Sequence, residues 1–455
     1  MESKNGKKLS LWNLVGVGLG GAIGTGIFVL LGFGIAYTGR SIFAAVIVGC
    51  FFMLLAYWYQ LAMTSLFVLD GGEYSMKTLL LSPIMTGVSA WMLVITNFAF
   101  ASYAIAITNF LAVLWPQVNN YSAIVSFFII TLFFLTTIRG SRFITLLGNF
   151  ITIVLIFTLA LFIIYGVPQV NFANFFSHSF DGGFLRNGFG GFVSAVAVMG
   201  WACQGTTMGP ISLAPVTINP KKTIPQSIII ITILLAIIYG GMAYVAAGVL
   251  PYDKIQGQNI SVTAEAIFPR SLFLLFVVGG GIGAVASSVL GGLSSIRYPL
   301  IHVADDGWLP QVFKKQTKSG YPYLTYIFIY LISILPIVSG MSIDSAVSLV
   351  MIPTMLINIY MNLMCIILPR KFPEQWDNRS IKIPLSIYKA GCILGALAAS
   401  VVAYNLFVNL TGKDMLLASV IILAMLGLSY LRIKQGAIDL QKLEDNKLAI
   451  INQIK

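Results

Sequence analysis

Gly16-Val17-Gly18-Leu19-Gly20-Gly21-Ala22-Ile23-Gly24-Thr25-Gly26-Ile27-Phe28 lies inside the first hydrophobic segment of a 455-residue chain. Glycine costs a helix about 1 kcal/mol relative to alanine, so this cluster predicts a helix interrupted in mid-membrane. Non-helical backbone at that depth persists only where it lines a cavity or meets a polar partner. A broken helix frees N–H groups at one half-helix end and C=O groups at the other. That pair of ends suits a ligand carrying both an anion and a cation, as an amino acid does. Small residues also let membrane helices pack closely, and the motif alone leaves both readings open.

Composition sets the class. The chain is 58% hydrophobic and 9% charged, with a mean hydropathy of +0.91. A globular surface needs about 25% charged residues, so this is an all-α polytopic membrane protein embedded in a lipid bilayer. The net charge of +12 does not signal nucleic acid, because Lys and Arg fall in alternate short loops and form no single basic face. Cys50, Cys203, Cys365 and Cys392 lie in or beside apolar segments without CxxC spacing, and His178 and His302 stand far apart. Neither a disulfide framework nor a transition-metal site is indicated. The polar N-terminus shows no signal-peptide order, so the first segment is expected to stay in the mature protein.

A span needs about 20 apolar residues. On that basis the sequence divides into twelve transmembrane segments: 11–36, 42–69, 84–114, 121–138, 144–166, 189–214, 226–250, 271–301, 323–340, 344–368, 385–409 and 415–433. With a cytoplasmic N-terminus, 21 of the 27 Lys and Arg fall inside. Five fall outside (Arg40, Arg186, Lys254, Arg270 and Lys413), and Arg297 sits near the inner end of segment 8. This asymmetry is the positive-inside pattern and places both termini in the cytoplasm.

Segment 6 repeats the signature of segment 1. Gly200-Trp201-Ala202-Cys203-Gln204-Gly205-Thr206-Thr207 again sets small and hydroxyl residues where a membrane helix should be most apolar. Matching interruptions five helices apart predict a five-plus-five inverted repeat with discontinuous helices 1 and 6 and a site between them. The expected organisation is a cytoplasmic N-terminus (1–10), a first repeat (11–166), a second repeat (189–368), helices 11 and 12 (385–433) and a cytoplasmic tail (434–455).

Four patches resemble the amino acid–polyamine–organocation (APC) transporter superfamily, and within it the bacterial amino acid permeases. They are Gly21 to Phe28, Asp70-Gly71-Gly72-Glu73-Tyr74, Asn219-Pro220-Lys221-Lys222-Thr223-Ile224-Pro225, and Ala304-Asp305-Asp306-Gly307-Trp308-Leu309-Pro310. The resemblance implies alternating access around a site on broken helices 1 and 6. It implies that the substrate carboxylate meets backbone N–H groups at Ile23, Gly24, Thr25 and Gly26. The ammonium would meet carbonyls around Trp201, Ala202, Cys203, Gln204 and Gly205, with Trp201 as an aromatic gate. Three departures stand against the family pattern. Leu155 occupies the helix 5 position where many members carry lysine, Thr207 the position of a glutamate in acid-resistance exchangers, and Pro215 and Val216 replace an acidic pair.

All fifteen acidic residues fall at loops, tails or span edges. Intramembrane ionisable residues mark proton relays and counter-ions, so a neutral zwitterion is the expected substrate. Thr96 and Asn97 in helix 3, Ser294 and Ser295 in helix 8, and Asn358 and Asn362 in helix 10 could complete its pocket; interhelical hydrogen bonding is their alternative role. Ser287 and Ser288 could hold a sodium ion with carbonyls near Gly20 and Ile23, the one metal the sequence supports; no other cofactor is indicated. Arg297 is read as a cytoplasmic gate or an interface anchor, with Asp70 and Glu73 as pairing candidates.

The sequence therefore reads as a secondary transporter of neutral amino acids in the plasma membrane, working by exchange or uniport. Sodium or proton symport and amino acid/amine antiport are the alternatives within transport. A transport-dead sensor is the alternative outside it. No nucleophile, metal dyad or filter points to an enzyme or a channel, and the oligomeric state is open.

Overall fold

The computed structural model describes residues 8–24, 26–139, 141–175, 184–317, 321–340, 343–408 and 410–453. Among them the chain is helical, without named strands. Eight helices are long and apolar enough to cross a membrane. Four further apolar helices are shorter: Leu11–Ala22, Gly188–Gly200, Tyr323–Val338 and Leu349–Cys365. At 1.5 Å per residue, the first of these spans only about 18 Å, roughly half of a bilayer core. The outward faces carry large apolar side chains such as Phe128, Leu132, Ile153, Ile237 and Leu423, all more than half exposed. Hydrocarbon is the solvent that such a surface fits, and the chain is a multi-pass membrane protein.

Sequence dictates where the helices stop. Leu11–Ala22 ends at Ile23, whose ψ of 88° leaves the helical region, and a π-turn from Gly26 to Leu30 opens the next half-helix. On the other side, Gly188–Ala202 gives way to a 3-10 turn over Gln204–Thr206 and the short helix Met208–Ser212. The two interruptions meet backbone to backbone. A Cβ on Gly26 would lie 2.7 Å from Ala202 Cα, and one on Gly205 would lie 2.6 Å from Ala22 Cα. Only glycine permits that approach.

The Asn219-Pro220 pair also has a local cause. Asn219 takes the left-handed conformation (φ 45°), which asparagine tolerates, and Pro220 fills the first position of the Pro220–Val249 helix, where its missing N–H costs nothing. That helix packs on Leu11–Ala22 and Ile42–Ala56, while Gly283–Ser295 packs on Leu11–Ala22 and Ser141–Gly166. Leu9 pairs with Thr217, tying the entry of the first half-helix to the exit of the second.

A helix over Leu440–Ile451 follows the Gly412–Lys434 helix. Asp439 caps it by accepting from the N–H groups of Gln441 and Lys442. Asn446 donates to Asp306 Oδ1 at 2.6 Å, and Tyr74 donates to Oδ2 of the same carboxylate at 2.6 Å. Burial pushes the Asp306 carboxyl above its ordinary range.

Candidate functional site

The two interruptions line a cavity of about 200 Å³, enough for a small amino acid. Gly24, Gly26, Thr96, Asn97, Ala202 and Gly205, all expected at the site, line it. Thr96 and Asn97 sit in a 3-10 turn between Pro83–Ile95 and Ala99–Leu114. Their donors are spent locally: Thr96 Oγ1 donates to Leu93 O at 2.8 Å, and Asn97 Nδ2 to Leu93 O and Val94 O at 2.9 Å each.

Other candidates lie elsewhere. Ile23 is fully buried and Cys203 nearly so, and neither lines the cavity. The N–H of Ile23 donates to Leu19 O at 2.8 Å and that of Gly24 to Ala22 O at 3.0 Å. The open N–H groups are therefore those that begin the half-helix at Gly26. Ser294 donates to Gly291 O at 2.8 Å and stays off the cavity wall, whereas Ser295 reaches it. Asn358 lies away from the wall and accepts from Tyr59 OH at 3.0 Å. Thr25 lies outside the described residues, as do the side chains of Trp201 and Gln204.

Ser287 and Ser288 sit against the first half-helix. Ser287 Oγ lies 2.8 Å from Gly20 O and 2.8 Å from Ala284 O, with one proton shared between them. Ser288 Oγ lies 3.2 Å from Gly20 O and Gly21 O, 3.1 Å from Ala284 O and 3.4 Å from Ile23 O. Six oxygens thus gather within a few ångströms. Thr152 stands beside them, because a Cβ on Gly20 would collide with its Oγ1. An all-oxygen set without charge fits a hard monovalent cation.

Glu73 was read as a loop residue and occupies a different environment. Its side chain is 7% exposed and lines the cavity with Ser212, Ser295 and Pro299. Oε1 takes the Lys77 ammonium at 2.6 Å, one helical turn away, and the Tyr59 hydroxyl at 3.2 Å. Gln60 Nε2 in turn donates to Tyr59 OH at 3.1 Å. Glu73 keeps its place between two spans, yet its side chain reaches the cavity wall. Gly72 makes this reach possible: at φ 58° it presses against Ser212 and starts the Gly72–Thr78 helix at the cavity floor.

The gate candidates are placed as follows. Arg297 donates to Tyr298 OH at 2.7 Å and lies over its ring, 4.6 Å from the centroid. Among the described residues Asp70 makes no ion pair, and Glu73 pairs with Lys77 in place of Arg297 or Lys222. Hydropathy alone gave no sign of Tyr239, whose hydroxyl lies 3.1 Å from Ala22 O and 3.4 Å from Ala202 O. It stands between the carbonyl ends of both half-helices.

Similar chains give this geometry a family. An uncharacterised protein of Methanocaldococcus jannaschii is 28% identical over 70% of this chain and 72% of its own length. The branched-chain amino acid permease BcaP of Bacillus subtilis is 24% identical, covering 81% of this chain and 82% of its own length. A D-serine/D-alanine/glycine transporter of Escherichia coli is 27% identical over 67% of each chain. The amino acid permease family model matches residues 9–430. The chain belongs to the amino acid permease family of the APC superfamily, a family of transporters and not of enzymes.

Proposed function

We propose that this permease carries neutral amino acids across the plasma membrane by alternating access, as an exchanger or uniporter. One observation carries the reading: Gly24 and Gly26 of one interruption and Ala202 and Gly205 of the other line a single cavity. The half-helix opening at Gly26 offers N–H groups to a carboxylate, and the ends at Ala22 and Ala202 offer carbonyls to an ammonium. Among the described residues no Lys or Arg lines the cavity, so a second carboxylate on the substrate would lack a counter-charge from them. Two relatives are named for branched-chain amino acids and for D-serine, D-alanine and glycine, all neutral.

The eight long and four short apolar helices support twelve spans in a five-plus-five inverted repeat. The charge asymmetry of the loops supports cytoplasmic termini. Alternating access then consists of movement of the half-helices around the fixed breaks, with the Gly72–Thr78 helix as the cytoplasmic floor.

Sodium symport is a second reading, favoured by the oxygen cluster of Gly20, Gly21, Ile23, Ala284, Ser287 and Ser288. Sodium bound there would supply a fixed positive charge beside the first interruption. The test is uptake of labelled neutral amino acids into proteoliposomes, with and without a sodium gradient and with and without internal substrate. Flux that ignores sodium and rises with internal amino acid supports exchange. Sodium-driven accumulation in empty vesicles replaces it with symport. Absence of flux with every neutral amino acid removes the substrate assignment.

A further inference from the structure

We infer that Glu73 selects the substrate side chain, giving the cavity a preference for neutral amino acids that carry a hydroxyl or similar hydrogen-bond donor. The inference rests on the transporter reading and names the substrate class of the same site.

Both contacts to the Glu73 carboxylate fall on one oxygen. Oε1 accepts from Lys77 and from Tyr59, whereas Oε2 has no partner among the described residues. Glu73 lines the cavity, and Oε2 is the oxygen of its carboxylate that no protein donor occupies among the described residues. A carboxylate oxygen accepts hydrogen bonds and cannot donate them when ionised. An oxygen that gives up its water when a substrate fills the cavity recovers that cost only where the substrate supplies a donor.

The ion pair with Lys77 decides the charge of the preferred donor. The ammonium is 2.6 Å from Oε1 and its side chain is only 3% exposed. The pair is therefore neutral as a unit, and a second ammonium at Oε2 would meet the first across one carboxylate. A neutral donor meets no such repulsion. Volume decides the size. Gly209, Gly291 and Gly292 line the cavity with Ser212 and Ser295, and its volume of about 200 Å³ suits a small substrate.

Threonine and valine have nearly the same shape and differ in one donor, as do serine and alanine by one atom. Competition against labelled threonine counterflow in proteoliposomes is the measurement. Threonine should compete about tenfold or more better than valine, the scale of a hydrogen bond to a charged group. Serine should exceed alanine in the same direction. Glu73→Gln and Glu73→Leu should bring the threonine-to-valine ratio toward one, a change that a merely structural role would not produce. Where a variant does not fold, the wild-type ratios decide. Equal competition by valine overturns the inference, and so does lysine or ornithine outcompeting threonine; in both cases amino acid transport itself stands. Failure of every amino acid to compete removes the transporter reading and this inference with it.

Discussion

Asn362 repairs a broken helix 303 residues away: its Oδ1 accepts the backbone N–H of Tyr59 at 2.9 Å, and its Nδ2 donates to Ala56 O at 2.9 Å. Ile42–Ala56 and Trp58–Leu66 are separated there by Tyr57 at φ −104° and ψ 22°. The freed groups are fully buried beside Asn362, which is itself 0% exposed. Asn362→Leu leaves both unsatisfied, at a cost of about 1–3 kcal/mol each. Thermal unfolding in detergent should show a melting temperature lowered by several degrees, with far less loss for an exposed leucine substitution elsewhere. An unchanged melting temperature would mean that water reaches the gap.

The two interruptions share a clearance that has no slack. Gly26→Ala and Gly205→Ala each push a methyl group into backbone, Ala202 in one case and Ala22 with Gly21 O in the other. Backbone cannot rotate aside as a flexible side chain can, and overpacking costs about 1–3 kcal/mol or more. Counterflow should fall at least tenfold in both variants. Gly16→Ala, with nothing within 4 Å, is the control and should transport normally. Normal transport by Gly205→Ala would contradict the close packing of the breaks.

Asp306 makes a pH prediction. Burial raises its carboxyl above the ordinary range, outweighing the hydrogen bonds from Tyr74 and Asn446 and the nearby His302. The folded state thus holds the proton more tightly than the unfolded chain. The stability from this group is complete below the unfolded-state value of about 3.9 and is lost as pH rises through the folded value. Asp306→Asn does not titrate, so its melting temperature should gain on wild type between pH 4 and pH 7. A gap that narrows over that interval would reverse the sign.

Cys50 and Cys203 bring their sulfurs to 2.7 Å as a buried thiol–thiol contact that is not a disulfide. Mild oxidation with copper phenanthroline should join them, with loss of two protons and two electrons to the oxidant. Mass spectrometry should find the 50–203 cross-link, and transport should fall, because Cys203 follows cavity-lining Ala202. Cys203→Ser should keep its flux under the same treatment. Equal oxidative loss in that variant would assign the effect to another thiol.

Part of this architecture is legible in the sequence because glycine is expensive inside a helix. The interruptions at Ile23 and Cys203 announce themselves, and so does the short-span signature around them. Thr96 and Asn97 stand out as polar residues in an apolar run. Glu73 does not, since hydropathy places it at a membrane edge and carries no information about a left-handed Gly72 folding it back under the cavity. Tyr103 and Phe100 read as ordinary span residues, yet both line the wall. The break at Tyr57 contains neither Gly nor Pro, and its repair by Asn362 is a tertiary event with no local sign. Asn358, read as a ligand contact, is bound to Tyr59, a pairing across 299 residues that periodicity cannot reveal.

Tyr239 has one hydroxyl proton and two carbonyls within reach, Ala22 O at 3.1 Å and Ala202 O at 3.4 Å. A single proton cannot satisfy both acceptors fully, so the two half-helix ends compete for it. One hydroxyl on the Pro220–Val249 helix thus ties together the carbonyl ends of two separate half-helices, so that neither end can shift without altering the hydrogen bond of the other.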